Sequence, residues 1–208
     1  DVDYNNAHQQ LSLSVDASKL NVRDMYGDLT VIVSQNSRID NEVVLSKPLR
    51  VSGNKAFYEH LSPLVFKAGN EYRRMETVSV TYPGMGVADI GYSEPYYHQV
   101  LITDRLRSTE QYLYDQTQFG RFTIREYNSS QSDIEADYVL THFSLDMPEQ
   151  YEYGIFLDGD FTFRRFDPES RMIFNRATGL YEKSLLLKQG AYNYQYLIVP
   201  DGKSVGMT

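Results

Sequence analysis

Residues 180–199 read LYEKSLLLKQGAYNYQYLIV, and this stretch decides the fold class. Residues 180–187 and 192–199 are rich in leucine, tyrosine and β-branched side chains, and the pair Gln189-Gly190 lies between them. Aromatic and β-branched side chains suit the pleated, half-buried surface of a sheet. Glycine beside a polar residue marks a turn. The stretch therefore predicts two strands separated by a sharp turn.

The same pattern recurs along the chain. Residues 8–16 alternate, which places Leu11, Leu13 and Val15 on one face of a predicted strand. Further strand-like segments cover residues 29–34, 97–103, 138–145 and 153–157. Short strands at this spacing, separated by turn signals, are typical of β-sandwiches. Residues 106–118 hold no clear helical period, so we predict an extended or irregular connection there.

The predicted domain boundary lies in the most loop-like segment. Residues 128–133 read NSSQSD, a composition typical of connections. We therefore predict a first β-sandwich domain over 1–134 and a smaller one over 135–208. A chain of 208 residues can bury a core without crosslinks.

Composition excludes several classes of protein. The chain has no cysteine, which rules out disulfides, thiolate zinc sites and a cysteine nucleophile. Twenty basic and 28 acidic residues give a net charge of −8, which argues against a nucleic-acid surface. We see no apolar run long enough to span a membrane. The sequence begins at Asp1 without a signal peptide, so we expect a processed chain or an excised piece.

Motifs that could support catalysis or metal binding are weak. The histidines lack the i,i+2 or i,i+4 spacing of a metal clamp, and no Gly-x-Ser-x-Gly nucleophile motif occurs. Asp158-Gly159-Asp160 could offer oxygen ligands to calcium, but it is better explained as a turn in which glycine supplies a positive φ. We therefore predict no catalytic residues, no metal and no cofactor. The four histidines are His8, His60, His98 and His142.

A more specific motif is FKAGNEYRR at residues 66–74. Gly69-Asn70 is a turn dipeptide. If a strand follows it, Glu71 and Arg73 lie on one face and could form an ion pair, which at a surface contributes little stability. We expect Gly69, Asn70, Glu71 and Arg73 to shape a turn and tie it to the sheet.

An ordered set of motifs resembles one bacterial envelope family. The motifs are HQQ at 8–10, VSQNSRIDN at 33–41, KPL at 47–49, FKAGNEYR at 66–73, YH at 97–98, DR at 104–105, the turn at 115–120 leading into RF at 121–122, ADYV at 136–139 and LKQGAYNYQY at 187–196. The set covers nearly the whole chain and is similar to the plug protein family of the type IX secretion system, long described as a domain of unknown function.

The resemblance implies a periplasmic chain associated with the outer membrane and preceded by a longer N-terminal part. It also implies a plug that closes the periplasmic mouth of the outer-membrane translocon when no cargo occupies it. The family supplies no catalytic residues, and some members occur without a full type IX system. Because the family pattern continues past residue 196 with a segment that should supply a further strand, we expect either that the second sandwich lacks its last strand or that the tail is disordered.

The second predicted domain is also similar to early-set immunoglobulin-like sandwiches, which include glycogen-binding modules. The expected architecture is thus two immunoglobulin-like β-sandwich domains in tandem. The alternative function is a glycan-binding module of a polysaccharide-handling system. It would need an exposed aromatic row, drawn from Tyr151, Tyr153, Phe161, Phe163, Tyr181, Tyr192 and Tyr194.

The main functional hypothesis is a non-catalytic protein–protein interaction. Tyrosine is abundant, at 18 residues, and tyrosine and arginine dominate interface energies. Tyr92, Tyr96 and Tyr97 flank a loop and are the predicted partner-binding anchors. The alternative is that this loop packs between the two domains. An enzyme is the least supported class because the sequence nominates no pocket with convergent polar groups.

Overall fold

The computed structural model describes residues 7–107 and 116–208, and β-strands dominate it. The first strands are β1 His8–Gln10, β2 Leu13–Asp16, β3 Val31–Val33, β4 Val43–Leu45, β5 Arg50–Ser52, β6 Lys55–Tyr58 and β7 Val65–Lys67. They are followed by β8 Arg73–Glu76, β9 Val87–Ser93, β10 Tyr96–Leu101, β11 Asp104–Arg105, β12 Phe122–Ile124, β13 Tyr138–Asp146, β14 Tyr153–Asp158, β15 Ile173–Asn175, β16 Leu180–Lys188 and β17 Gly190–Pro200. A short helix, α1, spans Ser132–Glu135, and 3₁₀ turns span Gln35–Ser37, Ser62–Leu64 and Asp160–Thr162. The predicted all-β class is confirmed.

The chain divides into two compact units between Gly69 and Asn70. The boundary predicted at 134/135 is wrong, because it falls inside one sheet. Strand β10 precedes that point and β13 follows it, yet the two strands pair in parallel. Helix α1 and the turns around it form a connection within the second unit. The irregular connection predicted over 106–118 lies mostly outside the described residues.

The first unit contains three small sheets. The strand orders are β1-β7, β2-β6-β5 and β3-β4, and all of these pairs are antiparallel. Its core is formed by Leu29, Leu45, Ala56, Tyr58 and Leu64. The strand predicted over 8–16 is in fact two strands, β1 and β2, that belong to different sheets.

The second unit is a two-sheet sandwich. One sheet has six strands in the order β15-β16-β13-β10-β9, with β11 also paired to β13. The other has four strands in the order β12-β17-β14, with β8 also paired to β17. Inward side chains of both sheets share one core, which includes Met75, Leu101, Phe143, Leu157 and Tyr194. Burial of this apolar surface is the main contribution to the stability of the unit.

The turn at Gln189-Gly190 transfers the chain from one sheet to the other. Strand β16 pairs with β13 in the six-stranded sheet, whereas β17 pairs with β14 and β12 in the four-stranded one. The two strands predicted over 180–187 and 192–199 are confirmed, but they do not pair with each other. Only glycine fits at position 190, because a Cβ there would overlap the carbonyl oxygen of Thr123.

No helix within the described ranges is both long enough and apolar enough to cross a membrane.

Candidate functional site

The predicted anchor tyrosines lie on the β9–β10 hairpin, residues 87–101. Tyr92 is the second-last residue of β9 and Tyr96 begins β10, and these side chains are 63% and 41% exposed. Tyr97 is partly buried and packs edge-on against Tyr92, with ring centroids 5.1 Å apart. Tyr92 and Tyr96 thus present apolar rings with polar tips to solvent, which is the arrangement that interface tyrosines need.

The hairpin continues into the solvent-facing side of the six-stranded sheet, called here the outer face. Alternation along β10 and β13 sends Gln99, Leu101 and Phe143 into the core and leaves the intervening side chains on this face. Val100 is 44% exposed and Leu186 is 41% exposed. The outer face is formed by His98, Val100, Leu140, His142, Ser144, Ser184 and Leu186.

Two histidines and a serine form a hydrogen-bonded chain across the outer face. His98 Nδ1 lies 2.9 Å from His142 Nε2, and His142 Nδ1 lies 2.8 Å from Ser184 Oγ. Burial and the neighbouring His98 lower the pKa of His142 below its usual value, which favours the neutral ring. Spacing in the sequence does not reveal this group, because His98 and His142 are 44 residues apart and meet only through the pairing of β10 with β13.

The serine of this chain is not in a setting suited to catalysis. A neutral histidine beside a serine hydroxyl could act as a general base. However, Ser184 is exposed, so water is not excluded from its hydroxyl. Among the described residues, no three or more histidine or carboxylate side chains are placed to hold a metal ion. The geometry favours a binding surface with a polar centre.

The residues of the turn motif do not make the ion pair predicted for them. Gly69 and Asn70 lie at the division between the two units and outside any strand. Arg73 does not rely on Glu71 for an ion pair, because its Nη1 donates to Asp104 Oδ1 at 2.8 Å. The backbone oxygen of Glu71 instead accepts a hydrogen bond from Arg107 at 2.7 Å.

Asp104 organises a partly buried polar cluster. Its Oδ2 accepts hydrogen bonds from the hydroxyls of Tyr194 and Tyr196, at 2.9 and 2.8 Å. Burial first, and then the negative charge of Asp104, raises the pKa of Tyr194 well above its usual value. The pKa of Tyr196 is also raised well above its usual value, first by burial and then by the neighbouring Tyr194 and Asp104. The two phenols therefore stay protonated and donate to the carboxylate, which is a structural role.

Asp158, considered above as a calcium ligand, is committed to internal contacts. It is 2% exposed and accepts hydrogen bonds from Tyr72 at 3.2 Å and from Gln195 at 2.8 Å. The turn interpretation is correct in outcome but wrong in mechanism, because Gly159 has an extended backbone with φ 171. Glycine is required there because a Cβ would lie 2.6 Å from the ring of Phe161.

A cavity of about 150 Å³ lies beside these clusters in the second unit. Its lining is mainly apolar and includes Leu145, Ile155 and Ile198, with Asn70 and Arg73 of the turn motif. This volume exceeds what a single water molecule needs, but it lies well below the roughly 300–1,000 Å³ of typical small-molecule sites.

The aromatic row required for glycan binding is largely absent from the surface. Tyr181, Tyr192 and Tyr194 are all buried, and Phe161 packs against the core. Tyr151 and Phe163 are 78% and 74% exposed and remain as candidates, with Tyr153 partly buried. Alternation explains why Tyr192 and Tyr194 are buried, because side chains two residues apart on β17 share the face that must supply the core.

Comparison with known proteins supports the fold. A crystal structure of a hypothetical protein from Parabacteroides merdae ATCC 43184 is 42% identical to this chain, with a TM-score of 0.89. The match covers 97% of this chain and 51% of the other, so this chain spans about half the length of that relative. No protein-family model and no curated protein matches the sequence.

Proposed function

We propose that this chain is a non-catalytic interaction module of the bacterial cell envelope. We further propose that it acts as the plug that closes the periplasmic mouth of the type IX outer-membrane translocon. The proposal places the protein in the periplasm, associated with the outer membrane. The exposed tyrosines of the β9–β10 hairpin, Tyr92 and Tyr96, are the single observation that carries the interaction role.

The hairpin has the chemistry of a binding anchor. Tyr96 lies on the outer face with Val100, whereas Tyr92, which is opposite Tyr97, lies on the other face, so the hairpin exposes a large ring on each side. Tyrosines bury much area on binding while they lose few rotamers. The envelope assignment rests on the ordered motifs that resemble the plug family.

A binding role also fits the polar groups better than an enzymatic one. The His98–His142–Ser184 chain lies on an open face, and the Asp104 and Asp158 clusters are satisfied internally. Glycan binding is the second candidate function, but burial leaves it Tyr151 and Phe163 as its exposed aromatics.

The test is affinity isolation of the full-length tagged protein from crosslinked cell envelopes, read by mass spectrometry. We expect a very large outer-membrane β-barrel to be recovered with the natural protein and lost with the double variant Tyr92→Ala, Tyr96→Ala. The control is Tyr151→Ala, which removes a tyrosine that is more exposed than either anchor and lies far along the chain. Failure to recover a barrel from cells that contain one would overturn the plug role, and recovery of polysaccharide-uptake proteins would favour the glycan alternative.

A further inference from the structure

Strand β9 is an edge of the six-stranded sheet. It pairs with β10 on one side and is the last strand in the order β15-β16-β13-β10-β9. Within the described residues, no strand pairs with its other side. Such an edge leaves a row of backbone N–H and C=O groups ready to pair with another strand.

The two edges of this sheet differ in strand length and in basic residues. Strand β15 is three residues long, and Arg171 and Arg176 lie just outside its two ends. Strand β9 is seven residues long, reads VADIGYS and contains no lysine, arginine or proline. Short length and basic residues are the features that normally prevent edge-to-edge pairing.

One irregularity fixes which part of β9 can pair. Val87 faces Leu101 and Asp89 faces Val100, so Ala88 forms a bulge between them. Residues 89–93 continue in regular register against β10. Because a bulge twists the strand locally, the regular segment over 89–93 is the part that can receive a new strand.

We propose that β9 pairs with β9 of a second copy of this chain, antiparallel and around a two-fold axis at Gly91. In this register Gly91 faces Gly91 of the second copy, and Ile90 faces Tyr92. A two-fold axis makes each such contact occur twice, as in most symmetric dimers. The inference goes beyond the proposed function, since it concerns self-association rather than an envelope partner.

Residues 89–93 are complementary to themselves in this register. Ile90 opposite Tyr92 is an aromatic and β-branched pair, one of the favourable cross-strand combinations. Asp89 falls opposite Ser93, so no like charges face each other directly. A side chain at position 91 would project from the face of the sheet into open space, because a Cβ added to Gly91 meets no atom within 4 Å.

The net charge of the chain weakens the proposed dimer. Each copy carries a net charge of −8, so the two copies repel at long range. Salt screens this repulsion, with a Debye length of about 8 Å at physiological ionic strength. A five-residue edge contact is also small, so the dimer is weak and its population rises with protein concentration and with salt.

Disulfide trapping tests the register, because the natural chain has no cysteine. In the variant Gly91→Cys the two new thiols face each other across the axis. Residues directly opposite in an antiparallel pair have Cα atoms roughly 4.5–5.5 Å apart, within the range of a disulfide. We expect a covalent dimer in mild redox buffer at least tenfold faster than with the control Ile173→Cys, which is 72% exposed on the other edge.

Sedimentation equilibrium of the natural chain supplies the second readout. We expect dimer that increases with concentration and salt, and its loss in Ile90→Lys, which places a charge on the pairing segment. Equal crosslinking of the two cysteine variants would overturn the register. A natural chain that stays monomeric at millimolar concentration in high salt would overturn the self-association itself.

Discussion

His98 Nδ1 and His142 Nε2 lie 2.9 Å apart, although 44 residues separate the two histidines in the sequence. Their ring centroids are 5.2 Å apart and the ring planes differ by 18°. The two nitrogens lie between the ring centres and face each other. The contact exists because β10 and β13 pair in parallel, with both side chains on the outer face. It joins the segments on either side of 134/135 within one sheet.

The histidine contact makes stability depend on pH. Burial, followed by His98, lowers the pKa of His142 in the folded chain, so the unfolded chain binds the proton more readily. We therefore expect the free energy of unfolding to fall as pH falls through the ordinary histidine range near ~6.5. Urea titrations between pH 8 and pH 5 measure this change in the free energy of unfolding. In His142→Gln the free energy of unfolding should depend less on pH, whereas in the exposed control His60→Gln its pH dependence should not change. An unchanged pH dependence in His142→Gln would contradict the lowered pKa of His142.

Loss of the Asp104 carboxylate should destabilise the second unit. Asp104→Ala removes the acceptor of two tyrosine hydroxyls and the partner of Arg73. Removing one member of such a partly buried pair leaves an uncompensated charge, so we expect a loss of about 3 kcal/mol. The exposed control Asp146→Ala should change stability by less than about 0.5 kcal/mol. Equal urea midpoints for the two variants would show that the cluster contributes little.

Gly190 should tolerate no side chain at the point where the chain changes sheets. In Gly190→Ala the new Cβ overlaps the Thr123 carbonyl oxygen, which is backbone and cannot move aside without breaking the pairing of β12 with β17. We expect a loss of about 3 kcal/mol or a failure to fold. Gly91→Ala is the control, since its Cβ meets open space. Thermal unfolding of the two variants gives the comparison, and similar midpoints would be inconsistent with the overlap.

Two buried tyrosines should respond in opposite directions to removal of the hydroxyl. Within the described residues the Tyr58 hydroxyl has no hydrogen-bond partner, whereas the Tyr194 hydroxyl donates to Asp104. An unsatisfied buried group costs about 1–3 kcal/mol, so Tyr58→Phe should raise the free energy of unfolding by about 1 kcal/mol. Tyr194→Phe loses a hydrogen bond to a charged group and should lower it by about 2 kcal/mol. Destabilisation by both changes would show that Tyr58 is satisfied in solution.

Local pattern predicted the strands well, because side-chain alternation is a property of neighbouring residues. The strands at 180–187 and 192–199 and the tight turn between them follow from it. The pattern could not show that this turn crosses between sheets, because sheet membership depends on pairing with distant strands. For the same reason, the polar composition of 128–133 suggested a boundary where the structure has a connection within one unit.

The sequence likewise predicts the local features of the candidate site but not its long-range contacts. The exposed tyrosines at 92 and 96 lie where a turn signal separates two strands. The partner of Arg73 was not predictable, since Asp104 reaches it from 31 residues away. The His98–His142–Ser184 chain requires the registers of three strands, which no spacing in the sequence reports.

Site-specific photocrosslinking tests most directly the proposed contact between the tip of the β9–β10 hairpin and an outer-membrane barrel. A benzophenone amino acid replaces Tyr96 in the full-length protein, and a second strain carries it at Tyr151, which is more exposed than Tyr96. We predict that illumination of living cells joins position 96, and not position 151, to a very large outer-membrane β-barrel. Crosslinking of the barrel from neither position, or equally from both, would contradict the account.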